Sequence, residues 1–169
     1  MANYDLVCFL EYYQDRDSMT DPVSGLRTPS AQWQNFYQTS QVLTPDPNVA
    51  GEFSYLAFTA EGFGSAYASA LNDLAINAVA LASLVDITDA AMTSDNLVIA
   101  SLYVQNAGLD TFDEDASAQL ISRYIGSIME ASLDDTSVTW TVNPGIDKLN
   151  AQVPTRKITA DMLTKKRGK

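Results

Sequence analysis

The most regular hydrophobic pattern lies near the end of the chain. Residues 120–133 are rich in β-branched and aromatic types and predict a long strand that bends at Gly126. Asp134-Asp135 marks a tight turn, after which apolar and polar side chains alternate strictly. The inward-facing side chains of this second strand are Val138, Trp140 and Val142. The pattern predicts a β-hairpin.

Other segments carry weaker periodic patterns. Residues 4–13 predict an opening strand, although a short helix fits the same residues. Residues 52–59 alternate as a strand does, and residues 97–105 are apolar on both faces, which is typical of a strand covered on both sides. Residues 71–84 are ambiguous, because their apolar residues alternate while their alanines favour a helix.

Residues 88–92 predict one short helical turn with Thr88 as its N-cap. Several strands separated by turn signals predict a mainly β fold. We therefore expect a small antiparallel barrel or sandwich with short helical turns and a long N-terminal loop.

That loop covers residues 15–51 and holds four of the six prolines. Loops of this length usually have a binding role. Trp33, Phe36 and Tyr37 form an aromatic centre within it and are candidate subunit contacts. Two arrangements stay open: the loop folds back onto its own domain, or it inserts into a partner subunit.

The chain divides on these patterns into three parts. Residues 1–51 form an N-terminal strand and an extended, partner-contacting loop. Residues 52–160 form the β-barrel or sandwich domain, and residues 161–169 form a basic C-terminal tail.

Charge is distributed unevenly along the chain. Residues 1–146 contain 19 acidic and 3 basic side chains, a net charge of −16, whereas residues 147–169 contain 7 basic and 2 acidic ones, a net charge of +5, which together give −11. The basic end is either a solvated terminus or an arm that docks on the acidic body of a neighbouring copy. Its candidate contacts are Arg156, Lys157, Lys165, Lys166 and Arg167.

The composition argues against most catalytic chemistry. The chain has no histidine, so the commonest general base and metal ligand are missing, and we expect no enzyme activity, metal or cofactor. Cys8 lies in an apolar stretch and is expected to be a buried hydrophobic residue rather than a reactive thiol. The acidic cluster at residues 110–115 lacks the glycine and distal glutamate of an EF-hand, which favours a solvated turn. Residues 66–85 contain Asn72, Asp73 and Asn77 and are not expected to cross a membrane.

Three runs near the end of the chain resemble a known family. They are SRYIGSIMEASL at residues 122–133, VTWTV at 138–142 and DKLNAQVPTRK at 147–157. The arrangement is similar to the C-terminal part of tail-tip and baseplate-hub proteins of tailed bacteriophages, and the resemblance covers residues 52–160. Some related proteins carry a cysteine cluster for an iron–sulfur centre, which this chain lacks.

The resemblance implies a non-enzymatic structural protein of the virion, assembled in the host cytoplasm. It would form a homo-oligomeric ring that links the tail tube to distal hub or fibre proteins. Its partners would be other copies of itself and neighbouring tail proteins, without membrane or specific nucleic-acid binding. The alternative is a receptor- or glycan-binding β-domain with an aromatic pocket around Trp33 or Trp140.

Overall fold

The computed structural model describes residues 4–36, 45–63, 73–107, 112 and 118–144. These residues form eight strands, one α-helix and one short 3-10 turn. The strands are β1 (Tyr4–Tyr13), β2 (Ala31–Gln34), β3 (Ser54–Tyr55), β4 (Phe58–Glu61), β5 (Leu74–Val79), β6 (Leu97–Asn106), β7 (Gln119–Leu133) and β8 (Ser137–Pro144). The helix α1 spans Ala82–Thr93, and the 3-10 turn spans Arg16–Ser18.

All eight strands belong to one sheet with the order β3-β2-β1-β6-β7-β8-β5-β4. Each neighbouring pair is antiparallel except β2 with β3. The sheet curls into a half-barrel, which confirms the mainly β, barrel-like fold predicted from the sequence. Because β1 and β2 precede residue 51 and pair within this same sheet, the sheet extends across the division placed at that residue.

The two edge strands of the sheet, β3 and β4, follow one another directly in the chain. Only Leu56 and Ala57 separate β3 from β4. The backbone N–H of Leu56 donates to the carbonyl of Gln34 on one edge, and the carbonyl of Ala57 accepts from Val79 on the other. Residues 52–59 are therefore not the single strand predicted, because the chain changes strand partner at this corner.

A side-chain amide helps to hold this corner. The Asn35 Oδ1 accepts a hydrogen bond from the backbone N–H of Cys8 at 2.7 Å, and its Nδ2 donates to the carbonyl of Phe58 at 3.3 Å. Asn35 therefore joins β1 to β4, two strands that are not neighbours in the sheet.

The concave side of the sheet forms the main hydrophobic core. Strict alternation in β8 directs Val138, Trp140 and Val142 inward, as predicted, and all three are buried. Alternation in β1 directs Cys8, Leu10 and Tyr12 into the same cluster. Cys8 is the buried hydrophobic residue expected, and its burial raises the pKa of the thiol to about 12.

The helix α1 packs against this core and differs from its prediction. It has twelve residues and begins at Ala82, so Thr88 is an interior residue and not an N-cap. The hydroxyl of Thr88 donates to the carbonyl of Leu84 at 2.7 Å and accepts from Trp140 Nε1 at 2.8 Å. This pair of hydrogen bonds satisfies the indole N–H inside the core.

The convex side of β1 is covered by the long N-terminal loop. Phe9 lies at the centre of this second cluster, with its ring centroid 5.0–5.4 Å from those of Phe53, Tyr103 and Phe112. Val49 packs in the same cluster. The loop also contributes strand β2, so it is less irregular than predicted.

The predicted strands over residues 4–13, 97–105 and 120–133 and the C-terminal hairpin are confirmed within one residue at most ends. The ambiguous residues 71–84 contain both elements, with β5 ending at Val79 and α1 beginning at Ala82.

Candidate functional site

The aromatic residues predicted as subunit contacts do not form an exposed surface. Trp33 is 9% exposed and packs against Trp140, with ring centroids 6.1 Å apart. Phe36 is 5% exposed and belongs to the cluster around Phe9. For these two residues the loop folds back onto its own domain, because a curled sheet has two faces to cover and the loop supplies the apolar side chains.

The remaining predicted contacts lie outside the described residues. They are Tyr37, Arg156, Lys157, Lys165, Lys166 and Arg167. The acidic residues Asp110, Asp113, Glu114 and Asp115 lie outside them as well.

A buried ionic network attaches the loop to the convex face of the sheet. Glu11 projects from β1, is 3% exposed, and receives hydrogen bonds from Arg27 Nε at 3.1 Å and Nη2 at 3.2 Å. The hydroxyl of Tyr13 donates to the same carboxylate. The Arg27 Nη2 also contacts Asp46 Oδ2 at 2.9 Å, and Arg123 from β7 contacts that oxygen at 3.3 Å.

The network shifts the pKa values of three residues, Asp46, Arg27 and Tyr13. Burial raises the pKa of Asp46, but hydrogen bonds from Asn48 and Arg27 outweigh burial and leave the pKa below its ordinary value. Burial lowers the pKa of Arg27, and its bonds to Glu11 and Asp46 reverse this and raise it. Burial and the neighbouring Glu11 raise the pKa of the Tyr13 phenol. The raised pKa of Arg27 and the lowered pKa of Asp46 keep this pair charged at neutral pH.

All three basic residues of the first 146 positions lie on this convex face. Besides Arg27, Arg123 Nε donates to Ser101 Oγ at 3.1 Å, and Arg16 Nη2 donates to Ser127 Oγ at 2.8 Å. Each arginine joins two segments that are distant in sequence. In each case the contact attaches one segment of the chain to another.

Strand β7 has two halves with different partners. Residues 119–126 pair with β6, whereas residues 126–133 pair with β8. The exchange occurs at Gly126, where an added Cβ would lie 2.2 Å from the carbonyl oxygen of Asn143. Only glycine permits this close approach, so the predicted bend at Gly126 marks a change of partner.

The first half of β7 leaves one backbone edge without a strand. We define the β7 edge as residues 119–123, which pair with β6 on one side and have no second strand partner among the residues that the structure describes. Such an edge presents backbone N–H and C=O groups in the spacing that another strand requires.

Exposed apolar side chains are concentrated on the same strand. Within the described part of the chain, five of the twelve large exposed hydrophobic residues belong to β7. They are Leu120, Ile121, Ile125, Met129 and Leu133, each between 46% and 53% exposed. An exposed apolar strand with an unpaired edge is a surface for association with another chain.

A shallow groove lies at the other end of the sheet, beside the corner between β3 and β4. It has a volume of about 450 Å³ and an uncharged lining that includes Tyr55, Thr59, Asn77, Val79, Thr136 and Ser137. This lining contrasts with the acidic body. Around Trp33 and Trp140, where an aromatic pocket was expected, both indoles are buried in the core.

Two kinds of feature are absent from the residues that the structure describes. No group of three or more Cys, Asp or Glu side chains in these ranges is arranged to hold a metal ion. Within the same ranges, no helix has the length and apolar character needed to cross a bilayer.

Sequence reasoning identified the strand β7 but not its surface. Two-sided cover was predicted only for β6, and most residues of that strand are buried. For β7 the sequence predicted a strand without saying which faces are covered, and the residues at its start are largely exposed. The available signal for an uncovered edge was the difference in strand length. Strand β7 has fifteen residues and its hairpin partner β8 has eight, so β8 cannot pair with the whole of β7.

Comparison with protein-family models and with curated protein sequences finds no match.

Proposed function

We propose that this protein is a structural component of a bacteriophage tail tip or baseplate, where copies form an oligomeric ring that links the tail tube to distal hub or fibre proteins. The observation that carries the assembly part of the proposal is strand β7, with an edge that no described strand covers and with its exposed Leu120, Ile121 and Ile125. The resemblance of residues 122–133, 138–142 and 147–157 to tail-tip proteins supports the setting in a phage tail.

Monomeric proteins protect the exposed edges of their sheets against pairing with other chains. They shorten them, cover them, or place charged residues and prolines on them. Residues 119–123 read Gln-Leu-Ile-Ser-Arg, without a proline or an acidic residue, within a body of net charge −16. Their one charged side chain, Arg123, is bonded to Ser101 and Asp46. An edge of this composition in an otherwise acidic protein favours pairing with another chain.

Light scattering coupled to size-exclusion chromatography tests the assembly. We expect the wild-type protein to form a discrete oligomer, and Leu120→Lys with Ile121→Lys to shift it to the monomer, because two charges would be desolvated at the contact. The matched control is Val23→Lys, which alters a residue that is 93% exposed on the loop between β1 and β2. A wild-type protein that stays monomeric at every concentration would refute the proposal.

Cryo-electron microscopy of intact tailed particles tests the setting. Density for a ring of eight-stranded, half-barrel subunits is expected at the distal end of the tail tube. Particles that contain the chain elsewhere, or lack it, would contradict the tail-tip assignment while leaving the oligomer itself in place.

A second candidate function rests on the groove beside Tyr55. An exposed aromatic ring flanked by amide and hydroxyl groups, without charged neighbours, suits a neutral carbohydrate, whose ring faces stack on aromatic side chains. A glycan array should show binding that is lost in Tyr55→Ala. The control Tyr4→Ala should keep it, because Tyr4 is also an exposed tyrosine but lies at the start of β1 and does not line the groove. The absence of any glycan signal would remove this candidate.

A further inference from the structure

We propose that the β7 edge is the docking site for the segment at residues 145–157 of a neighbouring copy, which adds to the sheet as an antiparallel strand. This inference rests on the proposed function and specifies the contact between subunits. It joins the exposed edge of one copy to the segment that follows β8 in the next.

First, the β7 edge begins close to the place where the β7–β8 hairpin ends. Strand β8 accompanies β7 as far as the pair Gly126 with Pro144, and the β7 edge lies just beyond that pair. A strand added there would continue the ladder that β8 leaves incomplete. The concave and convex faces of the sheet would then extend without a break.

The second step concerns which chain supplies that strand. Proline has no N–H to donate and cannot continue a ladder, and the dipeptide Pro144-Gly145 is a strong turn signal. These features favour departure of a chain from its own β7 at this point, which leaves the edge to a neighbour.

The third step is the character of the segment. Residues 145–157 contain the apolar residues Ile146, Leu149 and Val153 among polar ones, and Pro154 closes the stretch that can form a strand. They contain three basic side chains and one acidic side chain. The segment can therefore bury apolar groups against Leu120 and Ile121 and bring positive charge to an acidic body.

The fourth step fixes the direction. Phe112 and Ala118 both pack on the cluster around Phe9, and the acidic residues Asp113, Glu114 and Asp115 lie between them in the sequence. Asp115 is four residues from the start of β7 and thus at most about 14 Å away. An antiparallel strand would carry Arg156 and Lys157 past Gln119 toward these acids, whereas a parallel strand would carry them away.

The consequence for assembly follows from geometry. The donor segment and the acceptor edge are different surfaces of the same chain, so the contact is heterologous and can close into a ring. A contact of β7 with β7 would instead be two-fold and would give a dimer.

Cysteine crosslinking between two co-expressed full-length variants tests the inference. One carries Ile121→Cys, and the other, enlarged by a tag, carries a single cysteine at Leu149, Asn150, Ala151 or Gln152. Because a strand alternates its side chains, crosslinks are expected at alternate positions of this series and not at all four. The native Cys8 does not interfere, since it is 2% exposed and its thiol has a raised pKa.

Two controls accompany this experiment. Val23→Cys in place of Ile121→Cys should lower the yield of crosslinked product to background, because Val23 is an exposed residue of the loop between β1 and β2 and not part of the β7 edge. Arg156→Gln with Lys157→Gln should lower the yield about three- to tenfold at low salt and have little effect near 0.5 M salt, where roughly 5 Å of screening length remains.

The outcomes separate this inference from the proposed function. An oligomer that gives no crosslink from Ile121 would overturn the docking site and leave the ring in place. A crosslink that forms within one chain carrying both cysteines, at high dilution, would show that a copy covers its own edge and would also overturn it. A protein that is monomeric throughout would refute the proposed function itself.

Discussion

Strands β1 and β7 flank the same central strand, β6, yet their surroundings differ. Both are long, and both are rich in aromatic and β-branched residues. From Val7 to Tyr13 every residue of β1 is buried, because the core covers one face and the N-terminal loop covers the other. Strand β7 has five large apolar side chains that are about half exposed.

The difference shows that a strand's own composition does not decide whether it is part of a core. The loop that covers β1 is held by Glu11, Arg27 and Asp46. Strand β7 has one contact with this network, through Arg123 at its side, and no equivalent loop in the described ranges. We therefore interpret β1 as the internal core strand and β7 as the strand that a partner completes.

The largest expected effect comes from removing the centre of the β1 cluster. Phe9→Ala leaves a cavity between Phe53, Tyr103 and Phe112 and should destabilise the protein by about 3–5 kcal/mol. Ile125→Ala on β7 is the control and should change the stability of the monomer by less than about 0.5 kcal/mol. Urea unfolding followed by tryptophan fluorescence measures both, and equal losses would contradict the contrast between the strands.

A smaller effect is expected from breaking the ionic attachment of the loop. Arg27→Ala leaves the carboxylate of Glu11 buried, with the Tyr13 hydroxyl as its remaining hydrogen-bond donor among the described members of the network, and we expect a loss of about 2–3 kcal/mol. Arg123→Ala should cost less than about 1 kcal/mol, because Arg123 is one-third exposed. Proteolysis of the loop gives a second readout, since only the Arg27 variant should be cut faster between β1 and β2.

The corner that joins β1 to β4 should contribute less again. Asn35→Ala removes the acceptor for the backbone N–H of Cys8 and should cost about 1–2 kcal/mol. Asn77→Ala is the matched control, because the Asn77 amide meets only the exposed Thr139 hydroxyl at 2.7 Å. A loss in the control as large as that of Asn35→Ala would mean that the corner is not held by this amide.

The smallest effect is a dependence on pH. Because the folded pKa of Asp46 is lowered, its contribution is present above the ordinary carboxyl pKa of about 3.9 and is lost as the pH falls through the lowered value. We expect constant stability from pH 7 to pH 5 and a decline below about pH 4. Asp46→Asn should lower stability at pH 7 by about 1 kcal/mol or less and weaken the acid decline.

A second carboxylate contributes to the same acid decline. The pKa of Asp134 is lowered to about 2 by hydrogen bonds from the backbone N–H of Thr136 and from Ser137 in the hairpin turn. The Asp134→Asn variant therefore serves as the comparison. If Asp46→Asn leaves the acid decline unchanged, Asp46 does not hold the loop through its charge.

The sequence pattern predicted those elements that depend mainly on residues close together in the chain. The hairpin around Asp134-Asp135 followed from turn chemistry and alternation, and both strands are confirmed. The helix was predicted too short, because Thr88 resembles an N-cap in sequence while its hydroxyl in fact bonds to Leu84 and Trp140. The spacing of the buried residues Leu84, Thr88 and Ala91 was the helical signal.

Features that depend on distant pairing could not be predicted in the same way. The alternation of residues 52–59 is compatible with one strand, and only the positions of Gln34 and Val79 split it into β3 and β4. Likewise, Trp33 and Phe36 have the aromatic character of an interface, but their burial depends on the curl of the sheet. The β7 edge arises from the unequal lengths of two strands, and exposure is not a property of their composition.

The pairing of β1 with β6 also determines the order in which the chain can fold during synthesis. From Tyr13 to Leu97 the ribosome must add 84 residues, which takes about 4–17 s at a rate of about 5–20 residues per second. In that interval only β2, which begins 18 residues after β1 ends, can pair with the nascent strand. The strand that waits longest for its main partner is thus one whose residues Val7 to Tyr13 are all buried in the finished protein. We therefore expect residues 4–13 to be where newly made chains are most prone to associate wrongly.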